Sequence, residues 1–585
     1  MAVAAVLLGF ILLRDRFTPK AKLEPLQVLP AMKAGAATSV QVKLADQPGI
    51  RAERTNGTWR LTEPVSYPAQ TLSIEKLLGE LEKLKAASMI TARELRDRPR
   101  AAEEYGLASP QAAVTVEQPG STLRLRVGAT TTPGDQVFVQ PEGREEVLVV
   151  DSAILQYLPR KVDDWRETSF LKLAGLSFDR LAVANGSKAF EVARPEPGQS
   201  WRMISPLQAR ANSARLEESL QALQNLTVHD FVSDDPKVDL AEFGLQPPEL
   251  EIRLAQGTNP VARLQFGKAP TNDTRLVYAR RPNLNAVVTV PKDLLTPWYA
   301  PVNEFRDPAL VTWNGAVGEI DVAGVDQFSL QLQTNGAWRV LPQNLPADPG
   351  LVKGLLEALG SLSIVEYTSD VATAQDLPAY GLAAPSRRYV LKTPLTNGPA
   401  GPTNAILIQV DFGTNQADKV YARRTDENFI YAIKYTAFET LPSISWELRD
   451  RGIWHLNTND IKGLLLEQQG RRRQLDRQGP NDWTPATGMN VLGVEEAVKG
   501  LCDLTAVAWV ALGEENRARY GLTGEGRRIT VEMKDGHKAL VEFSVHAAPN
   551  SPYAAVTLDG QLWIFQFPTW LYDYVQRYLT VPQSP

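Results

Sequence analysis

An aromatic-Gly-Leu step recurs four times in this chain at nearly constant spacing, and that period constrains the fold more than any other feature. It reads EEYGLASP from Glu103, AEFGLQPP from Ala241, PAYGLAAP from Pro378 and ARYGLTGE from Ala518. The glycines Gly106, Gly244, Gly381 and Gly521 are 138, 137 and 140 residues apart. A tryptophan precedes each in a second shared phrase: NGTWRLTEP around Trp59, GQSWRMISP around Trp201, NGAWRVLP around Trp338 and, more loosely, NDWTP around Trp483. Two independent markers at one period imply four copies of a unit of about 140 residues. A chain of 585 residues is in any case too long for a single hydrophobic core.

Each unit has the same local pattern. It opens on alternating apolar residues such as Val40, Val42 and Leu44, the period of a half-buried strand. Asn56-Gly57 and Asn335-Gly336 then supply a tight hairpin turn, and the tryptophan strand returns from it. An amphipathic helix follows: SIEKLLGELEKL in the first unit, with Ile74, Leu77, Leu78, Leu81 and Leu84 on one stripe and Ser73 as N-cap. Its counterparts begin at Asn212, Asp348 and Gly493. Beyond the Gly-Leu step come further strands, TLRLRVG, ARLQFG and IQVDFG, then VYAR at Val277 and Val420. Locally paired strands with one or two helices per unit predict an α+β fold with mainly antiparallel sheets. The predicted boundaries are 1–22 for an N-terminal anchor and the start of a linker, then units at 23–172, 173–311, 312–452 and a divergent 453–585.

The Gly-Leu step reads as a helix stop. Glycine past a helix end adopts the left-handed conformation, the next apolar residue folds back, and proline prevents continuation. Leu107, Leu245, Leu382 and Leu522 are the fold-back residues. The aromatic position holds Tyr105, Phe243, Tyr380 and Tyr520. Because Phe243 has no hydroxyl, four equivalent phenol-dependent sites are excluded and the shared property is apolar area. In the fourth unit Gly524 and Glu525 stand where the proline would be, so its exit is expected to be looser. The tryptophans read as core, since alternation puts Trp59 and Leu61 on one face.

No catalytic set emerges. The four histidines (His229, His455, His537, His546) lack metal-ligand spacing. Cys502, the only cysteine, lies on the apolar stripe of a helix as inert core, and one cysteine forms no intrachain disulfide. No nucleophile elbow or phosphate loop is present; GATTTPG (Gly128 to Gly134) lacks the Lys-Ser/Thr ending. The acidic pairs Asp163-Asp164 and Asp234-Asp235 read as solvated faces beside junctions. A net charge of −5, from 62 basic and 67 acidic residues without a basic stripe, argues against nucleic-acid binding. The expectation is therefore a non-enzyme without cofactor or metal.

Ala2 to Leu13 is wholly apolar and is followed by the basic stretch RDRFTPKAK. Twelve residues fall short of a span of about 20, so the expectation is an uncleaved membrane anchor whose true start lies upstream. The order W.l..P, amphipathic helix, YGL..P, l.lG, vYar, v..V resembles the bacterial family known as domain of unknown function 4340, most clearly in the first three units. That resemblance implies a single N-terminal inner-membrane helix, a periplasmic body and partnership with permease and ATPase subunits of gliding-motility-type ABC transporters. It implies no catalytic residues. Two readings follow: a membrane-tethered scaffold subunit of such a complex, or an extracytoplasmic binding protein with a polymer or small solute in a groove between units. In the second, Arg280 and Arg423 occupy matching places in the VYAR steps; otherwise they are solvated strand residues.

Overall fold

In a computed structural model of the protein the described residues are 26–186, 188–196, 198–398, 401–485, 489–545 and 552–581. The apolar segment Ala2 to Leu13, the anchor expected over 1–22 and His546 lie outside them. Among the described residues no helix is long and apolar enough to cross a membrane. The chain divides into two compact units, Met1–Arg306 and Asp307–Pro585, each with two large sheets. All large sheets are antiparallel, giving the α+β class expected.

The first sheet shows how the unit is built. One meander comprises Ser39–Leu44, Ile50–Thr55, Thr58–Glu63 and Tyr67–Pro68; a second comprises Ala112–Gln118, Ser121–Thr130, Gln136–Pro141 and Val147–Asp151. Their first strands join side by side, with Val40 opposite Val116 and Val42 opposite Val114. A short strand, Ser88–Ile90, closes the far edge against Val147–Asp151. The same nine-strand order recurs in the second and third sheets, and the fourth has eight strands among the described residues. Asn56 and Gly57 both take positive φ at the first hairpin, whereas of Asn335-Gly336 at the matching turn of the third repeat Gly336 alone does so. The proline closing each tryptophan strand, Pro64, Pro206, Pro342 and Pro485, follows a cis peptide bond.

Between the two meanders runs the amphipathic helix: Thr71–Lys83, Ser213–Gln224, Pro349–Gly360 and Val491–Cys502. Its buried stripe in the first repeat is Ile74, Leu77, Leu78 and Leu81, packed with Val40, Val42, Trp59 and Leu61. Burying each such side chain stabilises the fold by about 1.5–3 kcal/mol. Asn212, Asp348 and Asn490 cap their helices through side-chain oxygens. Ser73 does not. The first helix starts three residues earlier, with Gln70 at the cap position, and Ser73 donates to the Gln70 side chain instead. The early start has a cause: the Gln70 N–H donates to the Trp165 carbonyl of the following linker at 2.8 Å.

That linker contact is general. Asn212 N–H reaches Phe305 O, and Asp348 N–H reaches Leu448 O. Each linker then pairs with the segment just past the next repeat's helix, as Phe170 N–H to Leu226 O, Leu310 N–H to Leu362 O and Ile453 N–H to Leu504 O show. Within each compact unit one short extended segment thus serves two repeats, 165–170 in the first and 448–453 in the second.

Candidate functional site

The four Gly-Leu steps are structural joints. Gly106, Gly244, Gly381 and Gly521 have φ of 66°, 67°, 68° and 65°. Each glycine N–H bonds three residues back, and each following leucine N–H bonds five back (Leu107 to Ala102, Leu245 to Leu240, Leu382 to Leu377, Leu522 to Arg517). This is the double bond of a Schellman stop. The helix stopped is only one turn, Ala101–Glu104 or the 3-10 turns Leu240–Phe243 and Leu377–Tyr380. All four leucines are buried or nearly so, at 5%, 2%, 1% and 2% exposure.

The aromatic rings share one partner type. Tyr105 packs on Phe138 at 4.6 Å, Phe243 on Tyr278 at 4.8 Å, Tyr380 on Tyr421 at 4.9 Å and Tyr520 on Tyr553 at 5.2 Å. The partner is always on the VYAR-type strand. A second glycine completes the joint: a Cβ on Gly128, Gly267 or Gly413 would lie about 2 Å from the carbonyl oxygen of Tyr105, Phe243 or Tyr380. The l.lG and YGL phrases are thus two sides of one contact.

The tryptophans are core in three repeats. Trp59, Trp201 and Trp483 are 3%, 1% and 1% exposed, but Trp338 is only half-buried. An arginine and a glutamate explain the difference. Arg54 covers Trp59 at 4.8 Å and pairs with Glu75; Arg194 covers Trp201 at 4.4 Å and pairs with Glu217; Arg477 lies 5.9 Å from Trp483 and pairs with Glu495. Trp201 and Trp483 also donate Nε1–H to their glutamates at 2.8 Å. In the third repeat the cross-strand neighbour of Trp338 is Leu332, and Lys353 follows Val352 where the glutamate would stand. Without the arginine lid the indole edge meets solvent.

Sequence reading missed a third recurring set, the junction arginines. Arg166, Arg306 and Arg449 are 1%, 2% and 6% exposed. Arg166 stacks on Phe231 at 3.9 Å and Tyr67 at 4.7 Å, and pairs with Asp163 and Asp234. Asp163 and Asp234 are therefore ion-pair partners of a buried cation, not the solvated faces expected. Arg449 lies over Trp563 at 3.9 Å, and burial lowers its pKa. The available signal was the repeated aromatic-or-Leu-Arg step in WRETSF, EFRDPAL and ELRDRGI.

Groups suited to chemistry are scattered. His229 and His455 each sit beside an aspartate at the surface, and among the described residues no three His, Cys, Asp or Glu side chains assemble as metal ligands. Cys502 is 2% exposed, and burial pushes its thiol up to about 11. A thiol reagent at pH 8 is therefore expected to titrate no cysteine in the native chain and one after denaturation; rapid native labelling would contradict this packing.

One concavity stands out. A cleft of about 940 Å³ lies between the first two repeats, walled by Thr58 and Arg60 on one side and Arg263 and Arg281 on the other. Its floor is the linker, with Glu167 and Lys172. Burial pushes the Glu167 carboxyl up, but bonds from Lys172 and the Ser169 N–H outweigh it and leave the pKa below the ordinary value. Glu167 and Lys172 thus neutralise each other. Arg280 is half-buried beside this wall, its pKa lowered by burial and by the charge of Arg263. Arg423 pairs with the fully buried Asp411, which also holds Arg388. Neither arginine is simply a solvated strand residue.

The family model described as Domain of unknown function (DUF4340) matches residues 59–200, 201–385 and 338–524. The chain belongs to the DUF4340 family. Each match opens at a repeat tryptophan, Trp59, Trp201 or Trp338. The DUF4340 period is therefore phased on the tryptophan strand, and the first match ends just before the next tryptophan, inside the following sheet. No curated protein matches the chain.

Proposed function

We propose that this DUF4340 chain is a membrane-tethered, non-enzymatic interaction subunit in the periplasm that works with the permease and ATPase subunits of an ABC-type, gliding-motility-like transporter. The observation that carries this reading is that every residue class repeated four times is spent on packing. The aromatic pairs and leucines hold single repeats, while Arg166 in the first compact unit and Arg449 in the second hold neighbouring repeats of that unit. Such a body offers surfaces between fixed points, the usual basis of scaffolding in repeat proteins. The apolar Ala2 to Leu13 stretch and the family resemblance support the tether and the transporter partnership. Purification of the tagged full chain from detergent-solubilised membranes after mild crosslinking is expected to recover a permease and an ATPase. Repeated recovery of neither would overturn the proposal.

The cleft between the first two repeats favours a second reading, an extracytoplasmic binding protein with its ligand in an inter-repeat groove. Its size suits a small solute or a short stretch of polymer.

A further inference from the structure

The cleft between the first two repeats has an unbalanced charge on its walls. Arg281 forms no ion pair among the described residues, and its Nε and Nη2 are buried without a hydrogen-bond acceptor. Its guanidinium lies 6.0 Å from the Phe170 ring, so apolar surface rather than a carboxylate backs it. On the same repeat Arg253 and Arg263 share one carboxylate, Glu251. Arg280 adds a further cation whose buried Nε has no acceptor. Across the cleft Arg60 is exposed and, among the described residues, meets only the Ser66 hydroxyl, at 3.1 and 3.3 Å. A chain of net charge −5 thus places two guanidinium groups without a carboxylate partner, Arg281 and Arg60, on the walls of this cleft.

Buried donors without acceptors are costly, and a guanidinium more so than a neutral group. Low-dielectric walls of one sign also focus the field into the space between them. Guanidinium groups recognise planar or tetrahedral oxyanions through paired N–H donors. We propose that this cleft is a binding site for a carboxylate- or phosphate-bearing solute, with Arg281 as its principal anchor and Arg60 as a second contact from the opposite wall. The inference rests on the groove-binding reading and adds the ligand's charge to it. The lowered proton affinity of Arg280, caused by burial and by Arg263, agrees with an excess of cations on that wall.

Calorimetric titration of the full chain at low ionic strength, with citrate and inorganic phosphate as probes, tests this. Binding by at least one is expected, and the stronger of the two identifies the anion class. Arg281→Gln should weaken it tenfold or more, and Arg281→Lys less. Arg60→Gln, a surface change that leaves the core untouched, should weaken it about threefold, so the test survives poor folding of the Arg281 variants. Arg124→Gln, an exposed residue paired with Glu142, should leave it unchanged. Ala262→Trp, which fills the cleft from the second repeat's wall, should abolish binding. Anion binding indifferent to Arg281, Arg60 and Ala262 would be non-specific and would overturn the proposal. If the neutral oligosaccharide maltohexaose binds, is blocked by Ala262→Trp, and neither anion binds, the groove reading stands and the anion inference fails. Binding of neither class of probe would remove both.

Discussion

Gly267→Ala is expected to destabilise the second repeat by about 3 kcal/mol, the upper range for forcing extra volume into a packed site. A Cβ there would sit 2.1 Å from the Phe243 carbonyl oxygen and 2.9 Å from the Gly244 carbonyl. Both obstacles are backbone, so no side-chain rotation relieves them. The approach is close because Lys268 N–H donates to that same Phe243 oxygen at 3.0 Å. Gly257 provides the contrast. It has φ of 58° but nothing within 4 Å of where a methyl group would stand, so Gly257→Ala should cost only about 1 kcal/mol of conformational strain. Gly244→Ala combines both effects, with φ of 67° and a Cβ 2.8 Å from Lys268 N, and should resemble Gly267→Ala. Urea unfolding of the full chain, read repeat by repeat through hydrogen exchange, would rank the three. Equal stability of Gly267→Ala and wild type would sink the two-glycine joint.

The fourth repeat already contains the corresponding change. Ser544 follows Phe543 where Gly413 follows Phe412, and the contact has shifted: Val545 N–H donates to Gly521 O at 3.0 Å rather than to the carbonyl of Tyr520. A side chain at this position is accommodated by moving the joint one residue along. That shift is a finer account of the fourth repeat's divergence than its missing proline.

Legibility followed the range of each interaction. The Schellman stop is written in adjacent residues, so Gly106 and Leu107 declared it. Alternation and the 3.6-residue stripe likewise announced strands and helices. The cap at Ser73 failed because the helix start is fixed by Trp165, on a linker more than 90 residues away. The pairing of Ser39–Leu44 with Ala112–Gln118 spans four further strands and three helices, and no local pattern encodes it. The glycine of RVG was visible, but its meaning required the carbonyl of Tyr105 beside it. The cleft arginines gave only partial warning: Arg280 was singled out by repetition, Arg60 sits in the shared tryptophan phrase and Arg281 directly follows the VYAR step, but no local pattern shows that Arg60 and Arg281 line one concavity.

The buried triad in the fourth repeat should carry a large electrostatic effect. The side chains of Arg477 and Glu495 are 6% and 4% exposed and pair at 2.7 Å, and Trp483 donates to the same carboxylate. Removing one member of such a pair leaves the other charge buried, at a typical cost of about 3–5 kcal/mol. Glu495→Ala is therefore expected to destabilise the fourth repeat by that amount. Glu75→Ala should cost less than about 1 kcal/mol, because the Glu75 side chain is 47% exposed and water replaces it. Burial raises the Glu495 pKa, but the bonds from Arg477 and Trp483 outweigh it and hold it below the ordinary carboxylate value. The folded state thus binds this proton less readily than the unfolded chain. Its stabilising contribution is complete above the unfolded carboxylate pKa and is lost as pH falls through the lower folded value. Between pH 7 and pH 3 the wild type should lose more stability than Glu495→Gln, which has no proton to gain there. The third repeat supplies a compensated alternative, with Leu332 opposite Trp338 and Lys353 on the helix. Arg477→Leu combined with Glu495→Lys should accordingly cost less than the sum of its single changes, since Arg477→Leu alone leaves a buried carboxylate unpaired and Glu495→Lys alone sets a second cation beside Arg477. Strict additivity, or equal costs for Glu75→Ala and Glu495→Ala, would mean that burial does not set the strength of this pair.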